Sequence, residues 1–77
     1  MYILLDSIDK VMTFVNAIMK QDAELDLISG HRQVDGKSLL GIFSLDLTKP
    51  IEVRVLTNKD SKQLTSLLNK YESVKSL

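Results

Sequence analysis

Cysteine is missing from this sequence, so no disulfide framework and no thiolate metal site can hold the fold together. At 77 residues the chain makes one small domain, residues 1–77. A domain of this size buries little more than ~60% of its extended surface, so its apolar core must carry stability alone. One-signed charge is missing as well. Ten basic and ten acidic residues cancel and are interleaved along the chain, so no field exists to steer nucleic acid or an anionic membrane. Apolar runs such as Ile3-Leu4-Leu5 fall far short of the ~20 residues that cross a bilayer. The first residues have neither the basic region nor the apolar stretch of a secretory signal. The expected location is the cytoplasm, with neither nucleic acid nor membrane as a partner. A glycine-rich phosphate loop, a metal-ligand cluster and a histidine paired with a nucleophile are also absent from the sequence, so no enzyme activity, metal or cofactor is expected.

What is present reads as a folded α+β chain: hydrophobic residues make up 44% and charged residues 26%, a globular composition. Tyr2 to Leu5 is a short apolar strand ended by Asp6-Ser7. Ile8, Val11, Met12, Val15, Ile18 and Met19 recur at spacings of three and four, the stripe of an amphipathic helix from about Ile8 to Lys20. Asp6, Ser7 or Asp9 can cap it. Met12 and Met19 fall on the stripe expected to be buried, where methionine fills gaps in a core. Ala23, Leu25 and Leu27 alternate with Glu24 and Asp26, a half-buried strand with a wet face. Asp22, Glu24 and Asp26 form a solvated strand face, because alternate carboxylates without a turn do not wrap an ion.

Ser29-Gly30 signals a turn, His31 to Val34 a short return strand, and Asp35-Gly36 a second turn. Ser38 starts a second helix of about two turns that ends near Asp46. After the break at Thr48-Lys49-Pro50, Ile51, Val53, Val55 and Thr57 alternate with Glu52, Arg54 and Leu56, the clearest strand pattern in the chain. Asp60 to Gln63 has the spacing of a capping box. Leu64, Leu67, Leu68, Tyr71 and Val74 form the inward stripe of a last helix. The order β-α-β-β-α-β-α predicts helices on one face of a four-stranded, mainly antiparallel sheet.

One stretch goes further than fold class. Lys37-Ser38-Leu39-Leu40-Gly41, followed by Ile42-Phe43-Ser44-Leu45, closely resembles the regulatory-serine segment of HPr, the small phosphocarrier of bacterial sugar phosphotransferase systems. The resemblance extends over nearly the whole chain and runs from Ile8 to Val55 essentially without gaps. It implies an HPr-like open-faced sandwich with strand order first-fourth-second-third. In that family a segment reading Gly-Ile-His-Ala-Arg-Pro-Ala leads into the first helix, and its histidine accepts the phosphoryl group. Here the corresponding residues are Leu5 to Val11. An ungapped match sets Ser7 at the histidine, Asp9 at the arginine and Lys10 at the proline. Matching Tyr2 to Asp6 with the family's first strand instead deletes about four residues of that loop. Either way the nucleophile is gone, and Asp6 and Asp9 repel an incoming phosphoryl group. His31, the single histidine, follows a turn and is read as an exposed turn residue. Phosphocarrier activity through histidine is not expected.

Ser38 is the family's other functional position and is present. The resemblance implies regulatory phosphorylation there by HPr kinase/phosphorylase, with the phosphorylated form acting on a catabolite-control transcription regulator. The family's catabolite-repression branch likewise lacks the histidine and keeps the serine. A serine that merely caps a helix is the competing reading of Ser38, and it leaves an HPr-fold interaction module unrelated to sugar transport. Leu39, Leu40, Ile42, Phe43 and Leu45 are too many large apolar residues for two turns to bury against one sheet. By the family pattern Leu39, Leu40 and Phe43 lie outward and, with Lys37, form a surface for a protein partner or for a second copy of the chain.

Overall fold

The computed structural model describes residues 1–59 and 61–73. The elements are β1 (Tyr2–Ile3), α1 (Ile8–Ile18), β2 (Ala23–Ser29), β3 (Arg32–Asp35), α2 (Leu39–Phe43), β4 (Ile51–Asn58) and α3 (Ser61–Asn69). The strands form one antiparallel sheet in the order β1-β4-β2-β3. Ala23, Leu25 and Leu27 of β2 and Ile51 and Val53 of β4 are buried, while Glu24 and Arg54 are exposed. One face of the sheet therefore carries the core and the other faces water, which is the period-2 pattern of an open sheet. The three helices close the apolar face with Val11, Phe14, Val15 and Ile18 from α1, Ile42 from α2, and Leu64, Leu67 and Leu68 from α3. The ring of Phe14 meets Tyr71 edge to face, centroids 5.3 Å apart. Burial pushes the Tyr71 hydroxyl pKa up.

The face of α1 differs from the expected one. Ile8 is 70% exposed and Met19 63% exposed, and Met12 is exposed too, so the methionines do not fill the core. At about 100° per residue, Phe14 lies on one flank of Val11 and Met12 on the other. The apolar arc is wider than the sheet can cover, and the large ring of Phe14, fully buried, turns α1 toward its own side. Met19 also lies past the last helical residue, as the C-cap.

In β4 the alternation stops short. Leu25 pairs with Val55 but Glu24 pairs with Thr57, so Leu56 is an extra residue in β4, a bulge. It moves Thr57 to the wet face beside Glu24, contrary to the inward position expected for it. Val55 is also exposed, on the helical side of the sheet. The second helix is shorter than expected and ends at Phe43, because the Ser44 hydroxyl and amide both donate to Gly41 O (2.6 and 3.1 Å). The sheet edge at β1 is closed by the chain after α3: Leu4 N donates to Tyr71 O (2.9 Å), Ser73 N donates to Tyr2 O (2.8 Å), and Ile3 bridges to Glu72. The expected cap at Asp60 and the inward Val74 lie outside the described residues. Among the described residues no helix is long and apolar enough to cross a membrane.

Candidate functional site

Two helix starts hold the positions that the sequence singles out. At the first, Ser7 is the N-cap of α1, with extended backbone (φ −145°, ψ 156°) and its hydroxyl accepting from Lys10 N at 3.1 Å. Of the three cap candidates, Ser7 takes the role. Asp6 instead accepts from the Lys10 ammonium at 2.9 Å, an exposed pair one turn apart. That hydrogen bond holds the Asp6 carboxyl below its ordinary pKa. Asp9 sits in the first helical turn and is exposed. The mouth of α1 thus presents two carboxylates, Asp6 and Asp9, and the Lys10 ammonium is paired with Asp6. His31 is exposed after the Ser29-Gly30 turn. Gly30 has φ 61°, a conformation that a two-residue hairpin loop demands at this position and that glycine supplies without strain.

The second start is built more tightly. Asp35 Oδ1 accepts from Lys37 N (2.9 Å) and Asp35 O from Ser38 N (3.0 Å), so Asp35 fixes the turn that delivers the chain to α2. Ser38 is the N-cap, its hydroxyl accepting from Gly41 N at 3.1 Å. Two glycines allow the close approach. A Cβ on Gly36 would run into the Leu25 side chain, and one on Gly41 would stand 3.1 Å from Val34 Cβ and 3.0 Å from Ser38 Oγ. Lys37 turns inward: Nζ donates to Gln21 O at 3.3 Å and lies 3.9 Å from Glu24 Oε1. It ties the end of α1 to this turn.

The apolar residues of α2 divide. Ile42 and Leu45 are buried. Leu39, expected outward, is half-buried and rests against the core, because it shares the inward side of a one-turn helix with Ile42. Leu40 is 83% exposed and Phe43 40% exposed. Of the four expected partner residues, the structure therefore presents Leu40 and Phe43 openly, engages Lys37 within the domain, and half-covers Leu39. The exposed Ile8 and Met12 on α1 are apolar surface that the sequence reading missed. The bulk of Phe14 was the signal for their exposure.

Two further hydrogen-bonded carboxylates serve a turn and a strand pair. Asp46 accepts from the hydroxyl and amide of Thr48 (2.6 and 3.1 Å), chiefly the hydroxyl bond lowering its pKa, and this turn serves the passage into β4. Asp26 accepts from Gln33 Nε2 at 2.6 Å. Among the described residues no group of three His, Asp or Glu side chains is placed to hold a metal ion. No protein-family model matches the chain, and no curated protein matches it either.

Proposed function

We propose that the chain is a divergent HPr-like domain of the cytoplasm that no longer carries phosphate on histidine and works as a protein-docking module regulated at Ser38. The observation that carries the reading is the α2 start. A capped, glycine-fitted turn presents Leu40 and Phe43 to solvent immediately after a serine whose hydroxyl lies at the helix mouth. Large apolar side chains held out on a rigid turn mark a contact surface. The strand order β1-β4-β2-β3 and the resemblance of residues 37–45 support the HPr-like part of the reading. The acidic mouth of α1 supports loss of the carrier role. A phosphate on Ser38 would add charge one residue from Leu39 and two from Leu40, so it can change which partner docks without any enzymatic step in this chain.

The partner class is HPr kinase/phosphorylase, which would modify Ser38, and a catabolite-control regulator, which would read the product. Titration of such a regulator with the phosphorylated chain, followed by calorimetry, tests it. Binding should weaken at least about tenfold in the L40A/F43A variant, the size expected when central apolar contacts are truncated. Unchanged binding in that variant removes Leu40 and Phe43 from the interface. A second reading, an interaction module outside sugar transport with Ser38 only a cap, is favoured by one observation: the hydroxyl already accepts from Gly41 N. Under it the unphosphorylated and phosphorylated chains show the same partner affinity.

A further inference from the structure

Lys37 spans a seam in the fold. Its Nζ donates to Gln21 O at 3.3 Å, across 16 residues of chain, and lies 3.9 Å from Glu24 Oε1. Gln21 and Glu24 belong to the passage from α1 into β2, whereas Lys37 belongs to the turn that opens α2. The ammonium is thus a strap between the end of one helix and the start of the next. Both of its contacts are weak. The carbonyl is neutral and stands beyond the usual N–H···O distance. The Glu24 carboxylate is mostly exposed, so solvent and salt screen the pair. The strap also ends on a turn with a polar atom to spare: Gln21 Oε1 is buried and has no hydrogen-bond partner among the described residues.

Ser38 stands next in sequence, its Cα ~3.8 Å from that of Lys37, and the flexible four-carbon stem of a lysine can swing its ammonium to a group that close. A phosphoryl group on Ser38 Oγ, taken from ATP with release of ADP and the hydroxyl proton, brings about −1.5 to −2 charge and three strong acceptor oxygens. It would join a carboxylate already fixed on the same turn, since Asp35 Oδ1 accepts from Lys37 N, and the concentrated negative charge pulls on the neighbouring cation. We infer that Lys37 is a phosphate-responsive strap: phosphorylation of Ser38 draws its ammonium off Gln21 O and Glu24, and so frees the end of α1 from the start of α2. The inference rests on the regulatory reading of Ser38. Its effect falls away from the modified residue. Gln21 O loses its donor beside the unpartnered Oε1, and the last turn of α1, closed by Lys20 N to Ala17 O (3.2 Å) and Gln21 N to Ile18 O (3.0 Å), opens more readily.

The test places genetically encoded phosphoserine at position 38, so that no kinase enters it, and repeats the measurement in Lys37→Met, which keeps the stem and removes the charge. Amide hydrogen exchange at Lys20 and Gln21 should rise at least about threefold on phosphorylation of the native chain, as expected for the loss of one partly exposed hydrogen bond. In Lys37→Met it should be raised already and should not rise again. By phosphorus NMR, the second phosphate pKa should lie below its ordinary value of about 6 in the native chain and nearer to it in Lys37→Met. Ser38→Asp, which also caps, repeats the exchange cycle with a single charge if the phosphoserine chain fails to fold. Exchange at the two amides that the added charge leaves unchanged, or a phosphate pKa indifferent to Lys37, overturns the inference and leaves the regulatory reading standing. Absence of kinase labelling at Ser38 speaks against the regulatory reading alone, so the two fail separately.

Discussion

Both helix starts use one device, a serine hydroxyl accepting from the amide three residues on at 3.1 Å, Ser7 from Lys10 and Ser38 from Gly41. Their surroundings separate them. Ser7 is exposed and its neighbourhood is local, an Asp6–Lys10 pair in water. Ser38 is half-buried and sits where Gly36 meets Leu25, Gly41 meets Val34 and Lys37 reaches Gln21. The same cap therefore means two things: at α1 it finishes a helix, and at α2 it joins a helix to the sheet and sets the pose of Leu40 and Phe43. A capping serine carries information about function only through what its turn is fitted to.

That contrast can be broken most severely at Gly36. Gly36→Ala forces a methyl group into the Leu25 side chain, and overpacking of this kind costs about 1–3 kcal/mol. Thermal melts should fall by about 4–8 °C for each kcal/mol in a domain this small. Next come the caps themselves. Ser38→Ala should cost about 1–2 kcal/mol and Ser7→Ala about 0.5 kcal/mol by denaturant unfolding, since water replaces the exposed bond and reaches the half-buried one less well. Equal losses would erase the distinction between the two starts. Ser38→Asp should hold most of the native stability, because aspartate also caps, and it gives a folded stand-in for the proposed phosphorylated form.

The smallest effect is electrostatic. Asp6 and Asp46 have folded pKa values below their ordinary ones, through the Lys10 and Thr48 hydrogen bonds respectively. A depressed carboxylate pKa contributes stability that is present above the unfolded value of about 3.9 and is lost as pH falls through the folded value. The melting temperature should therefore decline below about pH 4, and Asp6→Asn should make that decline slightly shallower. Both groups are exposed, so the change is small and is screened by salt.

How much of this could be read from the residues depends on how local each feature is. The alternation of Ala23, Leu25 and Leu27, the Ser29-Gly30 turn and the Ser38 cap are set by neighbours in sequence, and all three stand in the structure. The face of α1 differs from the expected one because its apolar arc is wide enough to hold more than one stripe at helical spacing. Only the volume of Phe14 against the sheet decides among them. The Leu56 bulge has no glycine or proline to announce it, and it follows from fitting β4 onto β2. The Gly36–Leu25 and Gly41–Val34 approaches are contacts between distant residues and leave no local trace. At the candidate site, Leu40 and Phe43 were legible as surplus apolar residues, whereas the inward turn of Lys37 depends on where α1 ends.

The comparison between the two helix starts is tested most directly by phosphoryl labelling of the one chain at both ends, followed by intact mass. With the general phosphotransferase enzyme and phosphoenolpyruvate, no acid-labile phosphate should form. With HPr kinase/phosphorylase and ATP, one acid-stable phosphate should form and should vanish in Ser38→Ala. An acid-labile phosphate in the first reaction, or no Ser38-dependent phosphate in the second, would contradict the account of a carrier end lost and a regulatory end kept.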